Sequence, residues 1–142
     1  MKSKLILTCI IVAISLCLFA CSLGPTQAEV SCDDFMADKH ISKEVEVAVG
    51  DSFTVTLCSN PTTGFLWSEA AEISDQTVLQ QVDHKFVPPP ERPEPIEGEA
   101  GKEVWTFKAL KKGTSTISME YSRPWEEGEK GAWTFLLTVV VK

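Results

Sequence analysis

Three observations in the sequence predict an all-β fold, an antiparallel β-sandwich of about seven strands. Apolar residues recur at every second position in several short runs, the spacing of a strand with one buried face. Turn residues, chiefly Gly, Pro, Asn and Asp, punctuate those runs. No stretch carries the stripe of a long amphipathic helix, and no repeat of about 20–50 residues marks a solenoid.

The chain opens on a segment read as lying outside the fold. Lys2 and Lys4 precede an uncharged apolar run over residues 5–20. That run is shorter than the roughly 20 apolar residues of a membrane-spanning helix and has the anatomy of a secretory signal. Residues 1–20 are therefore expected to be a signal peptide of lipoprotein type. They lead into Leu18-Phe19-Ala20-Cys21, which resembles a bacterial lipobox and makes Cys21 the candidate lipidation site. Cleavage after Thr26-Gln27-Ala28, giving a soluble secreted or periplasmic protein, and an uncleaved anchor are the alternatives. All three place the domain outside the cytoplasm.

Without residues 1–20 the chain keeps 122 of its 142 residues, enough for one domain with one core. It then carries 11 basic against 20 acidic residues, a charge of −9. Nucleic acid is a poor partner for such a surface, because phosphate contacts call for Lys and Arg. Anionic headgroups repel it too, so membrane attachment is expected through the lipid alone. Cys9 and Cys17 lie in the leader, leaving Cys32 and Cys58. In an oxidising compartment that pair suggests a disulfide; two buried free thiols are the alternative. No spacing of His, Cys or acids forms a metal-binding pattern, and His40 and His84 are isolated. Neither a metal nor a cofactor is expected.

Residues 21–42 read as a polar tether and lead-in, and residues 43–142 as the sandwich. Val45, Val47 and Val49 alternate with Glu44, Glu46 and Ala48; Gly50-Asp51 turns the chain; Phe53, Val55 and Leu57 alternate with Ser52, Thr54 and Thr56. Residues 65–71 read as a strand with Phe65 and Trp67 on one face. Residues 76–87 read as a strand, although Val78, Val82 and Phe86 also allow a helical turn. Val104-Trp105-Thr106-Phe107 is the next strand. Lys111-Lys112-Gly113 is a turn, and residues 114–121 alternate again with Ile117, Met119 and Tyr121 on one face. Residues 133–141 form a strongly apolar closing strand. Trp67, Trp105 and Trp133 all sit in strand patterns and are expected in the core.

The connections are more informative than the strands. In Asn60-Pro61-Thr62-Thr63-Gly64-Phe65, Pro61 fixes one φ angle and Gly64 is free to take a positive one. Two threonines are held between those points, with an aromatic anchor behind. Such a loop suits insertion into a cleft; an ordinary inter-strand turn would use the same residue types. Residues 88–101 hold five of the eight prolines. Proline has no N–H for a sheet ladder, so this is a long stiff loop, or a polyproline ligand, rather than a central strand. It ends in Gly98-Glu99-Ala100-Gly101. The last long loop opens with Arg123-Pro124-Trp125-Glu126 and continues through Glu127, Glu129 and Lys130, expected to be a solvated face. Trp125 is either an interface anchor or a side chain folded back on the sandwich. Arg123 either packs on Trp125, reaches an acid on a partner, or is simply solvated.

Taken in order, Asn60-Pro61-Thr62-Thr63-Gly64-Phe65, the glycine-flanked segment 98–101 leading into Trp105-Thr106-Phe107, and Arg123-Pro124-Trp125-Glu126 resemble the chagasin-like inhibitors of papain-family cysteine peptidases. The resemblance spans residues 43–142. It implies an immunoglobulin-like sandwich and reversible, non-covalent occlusion of a papain-like active-site cleft by three loops, 60–65, 98–101 and 123–126. The residues it implicates are Asn60, Pro61, Thr62, Thr63, Gly64, Phe65, Gly98, Glu99, Ala100, Gly101, Arg123, Pro124 and Trp125. The implied inhibitor is a monomer and not an enzyme. The middle loop is richer in Pro and Glu than the family pattern, and the cysteine pair lies outside the resemblance.

A surface-anchored adhesion or scaffold sandwich would explain the tether and the strands, but not three motifs in one order. An enzyme would need a nucleophile beside a base, and neither histidine falls in the three loops.

Overall fold

The computed structural model describes residues 26–142; the leader and Cys21 lie outside the described residues. Nine strands form two facing sheets. We number them β1 (Gln27–Val30), β2 (His40–Val47), β3 (Ser52–Ser59), β4 (Leu66–Trp67), β5 (Glu72–Ile73), β6 (Leu79–Val87), β7 (Gly101–Ala109), β8 (Gly113–Ser122) and β9 (Trp133–Val141). One sheet runs β1-β3-β7-β6 and the other β2-β9-β8-β4, with β5 also paired to β8. The all-β sandwich is what the alternating runs specify. Its inward positions, Phe53, Val55 and Leu57 of β3, Trp105 and Phe107 of β7, Ile117 and Met119 of β8, and Phe135, Leu137 and Val139 of β9, are all buried. Trp67 and Trp105 lie in that core, and half-buried Trp133 packs against it.

The sheets are mixed rather than purely antiparallel. β1 runs parallel to β3 and β2 parallel to β9, while the remaining pairs are antiparallel. The first of these corrects the reading of residues 21–42 as a tether. From Gln27 onward the lead-in is part of the fold, because Ala28 and Val30 are apolar, alternate with Gln27 and Glu29, and bury against the sandwich. Lys102 of β7 pairs with Glu29 at 2.5 Å, and that contact holds the Glu29 carboxyl below its ordinary pKa. Lys43 of β2 donates to the Glu29 carbonyl at 2.8 Å and so ties the two sheets.

Between β1 and β2 the chain crosses sheets through a short helix, α1 (Cys32–Ala37). Ser31 caps it: the Asp34 N–H donates to the Ser31 hydroxyl, and the Ser31 N–H donates to the Asp34 carboxylate. The Ser31 hydroxyl, which donates to the Asp34 carboxylate at 2.7 Å, and then the Ser31 N–H lower the Asp34 pKa. Fully buried Phe35 inserts from the helix, stacking on Trp133 at 4.9 Å and lying 5.4 Å from Trp67. Cys32 and Cys58 form a disulfide with their Cα atoms 5.0 Å apart. It joins the start of α1 to the end of β3.

Three further readings are adjusted. Val49 lies past the end of β2 and is exposed, since the chain is already turning there. The strand expected over residues 65–71 is only the two-residue β4. Residues 75–79 form a turn in which Asp75 accepts from the Thr77 N–H at 2.9 Å and from its hydroxyl at 2.6 Å, bonds that lower the Asp75 pKa. β6 follows, with a bulge between Gln81 and Asp83. The bulge breaks the period of two, which is why the pattern there also fitted a helical turn.

Candidate functional site

β3, β6 and β8 all end at one end of the sandwich, so the three connections that follow them converge there. The first is a 3-10 turn, Pro61–Thr63, closed by Gly64 at φ +81°. Only glycine adopts that angle cheaply. The turn is knit internally. Thr62 Oγ1 donates to Asn60 Oδ1 at 2.6 Å, Thr63 Oγ1 donates to the Asn60 carbonyl at 2.7 Å, and the Gly64 N–H donates to the Pro61 carbonyl at 3.0 Å. Below the turn the Asn60 N–H donates to the Tyr121 hydroxyl at 2.8 Å, a core contact that fixes its base. Pro61, Thr62 and Thr63 remain exposed at the tip.

A hydroxyl has one proton and two lone pairs. Both threonine protons are committed to Asn60, so the hydroxyl oxygens can only accept further bonds, and that of Thr63 already accepts from the Phe65 N–H at 3.4 Å.

The other loops lean on this one. Asn60 Nδ2 donates to the Gly98 carbonyl at 2.8 Å and so couples the first loop to the second. Gly98 has φ +73° and follows a run of exposed residues. Arg92 pairs with Glu99 at 2.9 Å, and the Glu99 N–H donates to the Ile96 carbonyl at 3.3 Å. Gly101, by contrast, does not reach the loop surface. It is buried as the first residue of β7, where a Cβ would come within 2.5 Å of the Val87 carbonyl and 2.6 Å of the Phe86 ring. Its lack of a side chain serves strand packing.

In the third loop Trp125 stands 51 % exposed, so it does not fold back into the sandwich. Its ring edge lies over Gly64, where a Cβ would meet Trp125 Cη2 at 2.8 Å. The Arg123 guanidinium lies 4.4 Å from the centre of the Phe65 ring and 5.7 Å from that of Trp125. Phe65 stacks in turn on Tyr121, centroids 5.4 Å apart. Arg123 is thus neither freely solvated nor turned outward: it binds the first and third loops together. Pro124 is exposed beside it.

Two supports escaped the sequence reading. Lys130, grouped there with the solvated glutamates, donates to the Trp125 carbonyl at 2.9 Å and to the Arg123 carbonyl at 2.5 Å. The signal that could have found it is a lone lysine among glutamates. Beneath the first two loops, buried Glu103 accepts from the Ser59 hydroxyl at 2.7 Å and lies 2.7 Å from His84 Nε2. Ser59 immediately precedes Asn60, so this cluster anchors the root of the first loop. The serine hydroxyl points at the carboxylate rather than at the imidazole, so the trio lacks the nucleophile–base contact of a hydrolase. No group of three or more potential metal ligands occurs among the described residues.

The sequence profile of the Chagasin family peptidase inhibitor I42 matches residues 46–139. The chain belongs to this family. It is an inhibitor domain and not an enzyme. Amoebiasin-2 of Entamoeba histolytica is 31 % identical over 117 residues, covering 78 % of this chain and 92 % of the relative. Chagasin of Trypanosoma cruzi is 32 % identical over 88 residues, covering 61 % and 77 %. Among solved structures, a cysteine protease inhibitor from Entamoeba histolytica superposes with a TM-score of 0.63 at 25 % identity, covering 84 % of this chain and all of the other. The immunoglobulin-like sandwich is therefore a shared scaffold.

Proposed function

We propose that this chain inhibits papain-class cysteine peptidases by filling the active-site cleft with residues 60–65, flanked by residues 98–100 and 123–125. The observation that carries the reading is the coupling of the three loops: Asn60 is bonded to Gly98, and Trp125 rests on Gly64. A preassembled wedge loses little conformational entropy on docking. Papain-class sites pair a cysteine thiolate with a protonated histidine. The remaining acceptor capacity of the Thr62 and Thr63 hydroxyls suits such a donor. Inhibition is non-covalent and reversible, since both described cysteines are tied up in the disulfide and threonine is no electrophile. Titrating papain with the purified chain tests this. Stoichiometric, reversible loss of activity, with the inhibitor recovered uncut, is expected. No inhibition, or a stable adduct at the enzyme's cysteine, would overturn it.

The same reading extends to location. The inhibitor is proposed to be a lipoprotein anchored through Cys21 after removal of residues 1–20. Two features support this. Cleavage after Ala28 would cut through β1 and remove buried Ala28 from the sheet. β1 also runs parallel to β3, so its first residue, Gln27, lies at the end opposite the three loops. A lipid at Cys21 would then hold the loops facing away from the membrane. Replacing Cys21 with serine should release the protein from the membrane fraction or leave it unprocessed; unchanged fractionation would count against the anchor.

A further inference from the structure

Helix α1 sits at the same end of the sandwich as the three loops, because β1 finishes beside the end of β3 and β2 starts beside the start of β9. It lies outside the segment matched by the family profile. Between it and the loop roots is a cleft of about 480 Å³. Met36, the Cys32–Cys58 bridge, Phe65, Arg123 and Trp133 are among the residues that line it. Met36 is 76 % exposed, the most exposed large apolar side chain among the described residues. The fold makes little use of it, since Phe35 and the disulfide-bonded Cys32 seat the helix against the core.

We infer that α1 is a fourth contact element, and that its cleft receives an apolar side chain from the rim of the inhibited peptidase, with Met36 closing over it. This rests on the inhibitory reading above and adds a surface to it. The occupant follows from continuity. Thr63, Phe65 and Arg123 belong at once to the proposed inhibitory loops and to the cleft wall, so a body seated on those loops covers the cleft mouth. A second copy of the chain fits less well: the chain carries a net charge of −7, and Asp33, Asp34 and Asp38 flank Met36 in sequence, so like would face like. Met is an apt residue for the role, being unbranched and able to adapt to whatever side chain enters. The helix itself is held firmly by the disulfide, the Ser31–Asp34 capping box and the Phe35–Trp133 stack, so little order has to be gained on binding.

The test is to titrate papain with the purified, disulfide-intact chain and with Met36→Glu, Met36→Ala and Leu136→Glu. Leu136 is an exposed residue in mid-β9, away from the loops, and serves as the control. Met36→Glu places a charge against an apolar contact and should raise the inhibition constant about tenfold or more; Met36→Ala should raise it about threefold, and Leu136→Glu should leave it unchanged. Because Met36 is exposed, its variants should melt with the parent chain. An inhibition constant for Met36→Glu within about twofold of the parent, while Trp125→Ala still weakens binding, would overturn the fourth contact and leave the three-loop reading standing. A parent chain that does not inhibit at all would overturn both, and is recognised before any variant is made. Sedimentation supplies the rival outcome: a concentration-dependent dimer abolished by Met36→Glu would assign the cleft to a second copy and end the proposal.

Discussion

Residues 60–65 and residues 88–100 lie side by side at one end of the sandwich and are made stiff by different means. The first loop uses its own side chains: both threonine hydroxyls, the Asn60 amide and the Asn60 carbonyl are all engaged within or just beneath it. The second is stiffened by covalent geometry, through Pro88, Pro89, Pro90, Pro93 and Pro95. Its hydrogen bonds are few, chiefly the Ile96–Glu99 turn, the Arg92–Glu99 pair and the tie to Asn60. A hydrogen-bonded loop has one shape, and each substitution in it is felt. A proline-stiffened loop has restricted φ angles but few contacts to lose, and it tolerates change. The centre of the proposed wedge should accordingly be intolerant, and its acidic flank permissive.

The largest expected effect is at Gly64. An alanine there must hold φ near +81° and push its Cβ into the Trp125 ring. The left-handed conformation costs about 1–2 kcal/mol, and displacing an anchoring tryptophan adds about 2. Gly64→Ala should weaken inhibition roughly a few hundredfold, measured as the inhibition constant against papain. Trp125→Ala comes next, at about thirtyfold, because it removes the aromatic anchor but leaves the first loop in its own shape. Equal and small effects at both positions, with the melting temperature preserved, would mean that this pair does not touch the enzyme.

The contrast also explains what the sequence revealed. Alternation specified β3, β7, β8 and β9 because each has one face wholly in the core, and the Pro61/Gly64 frame marked the first loop because backbone geometry is written in residue type. β1 and α1 were not legible as structure. Gln27–Val30 alternates for only four residues, and its partner β3 lies in parallel some 27 residues away. The helix is six residues long, and its one signal is the spacing of Ser31 and Asp34. The couplings that turn three loops into one site, Asn60 to Gly98, Arg123 over Phe65 and Trp125 on Gly64, are tertiary contacts between segments that no local pattern joins. Family resemblance could name those loops, but only the fold shows that Asn60 and Arg123 act between them.

The two smallest predictions set those modes of stiffening directly against each other. Asn60→Ala removes two hydrogen bonds, the acceptor of the Thr62 hydroxyl and the donor to Gly98. At about 0.7 kcal/mol each, the loss should weaken inhibition roughly tenfold and raise hydrogen exchange at Thr63 and Gly64, whose amides close the turn. Arg92→Ala breaks the Arg92–Glu99 pair, whose side chains are 45 % and 23 % exposed. A solvent-screened pair of that kind contributes at most about 1 kcal/mol, and the prolines around it keep their angles without it. The inhibition constant should therefore change less than about fivefold, with exchange in the first loop unaltered. A tenfold loss for Arg92→Ala, or no loss for Asn60→Ala, would reverse the assignment: the proline loop would be the part held by specific contacts, and residues 60–65 would keep their shape through Pro61 and Gly64 alone.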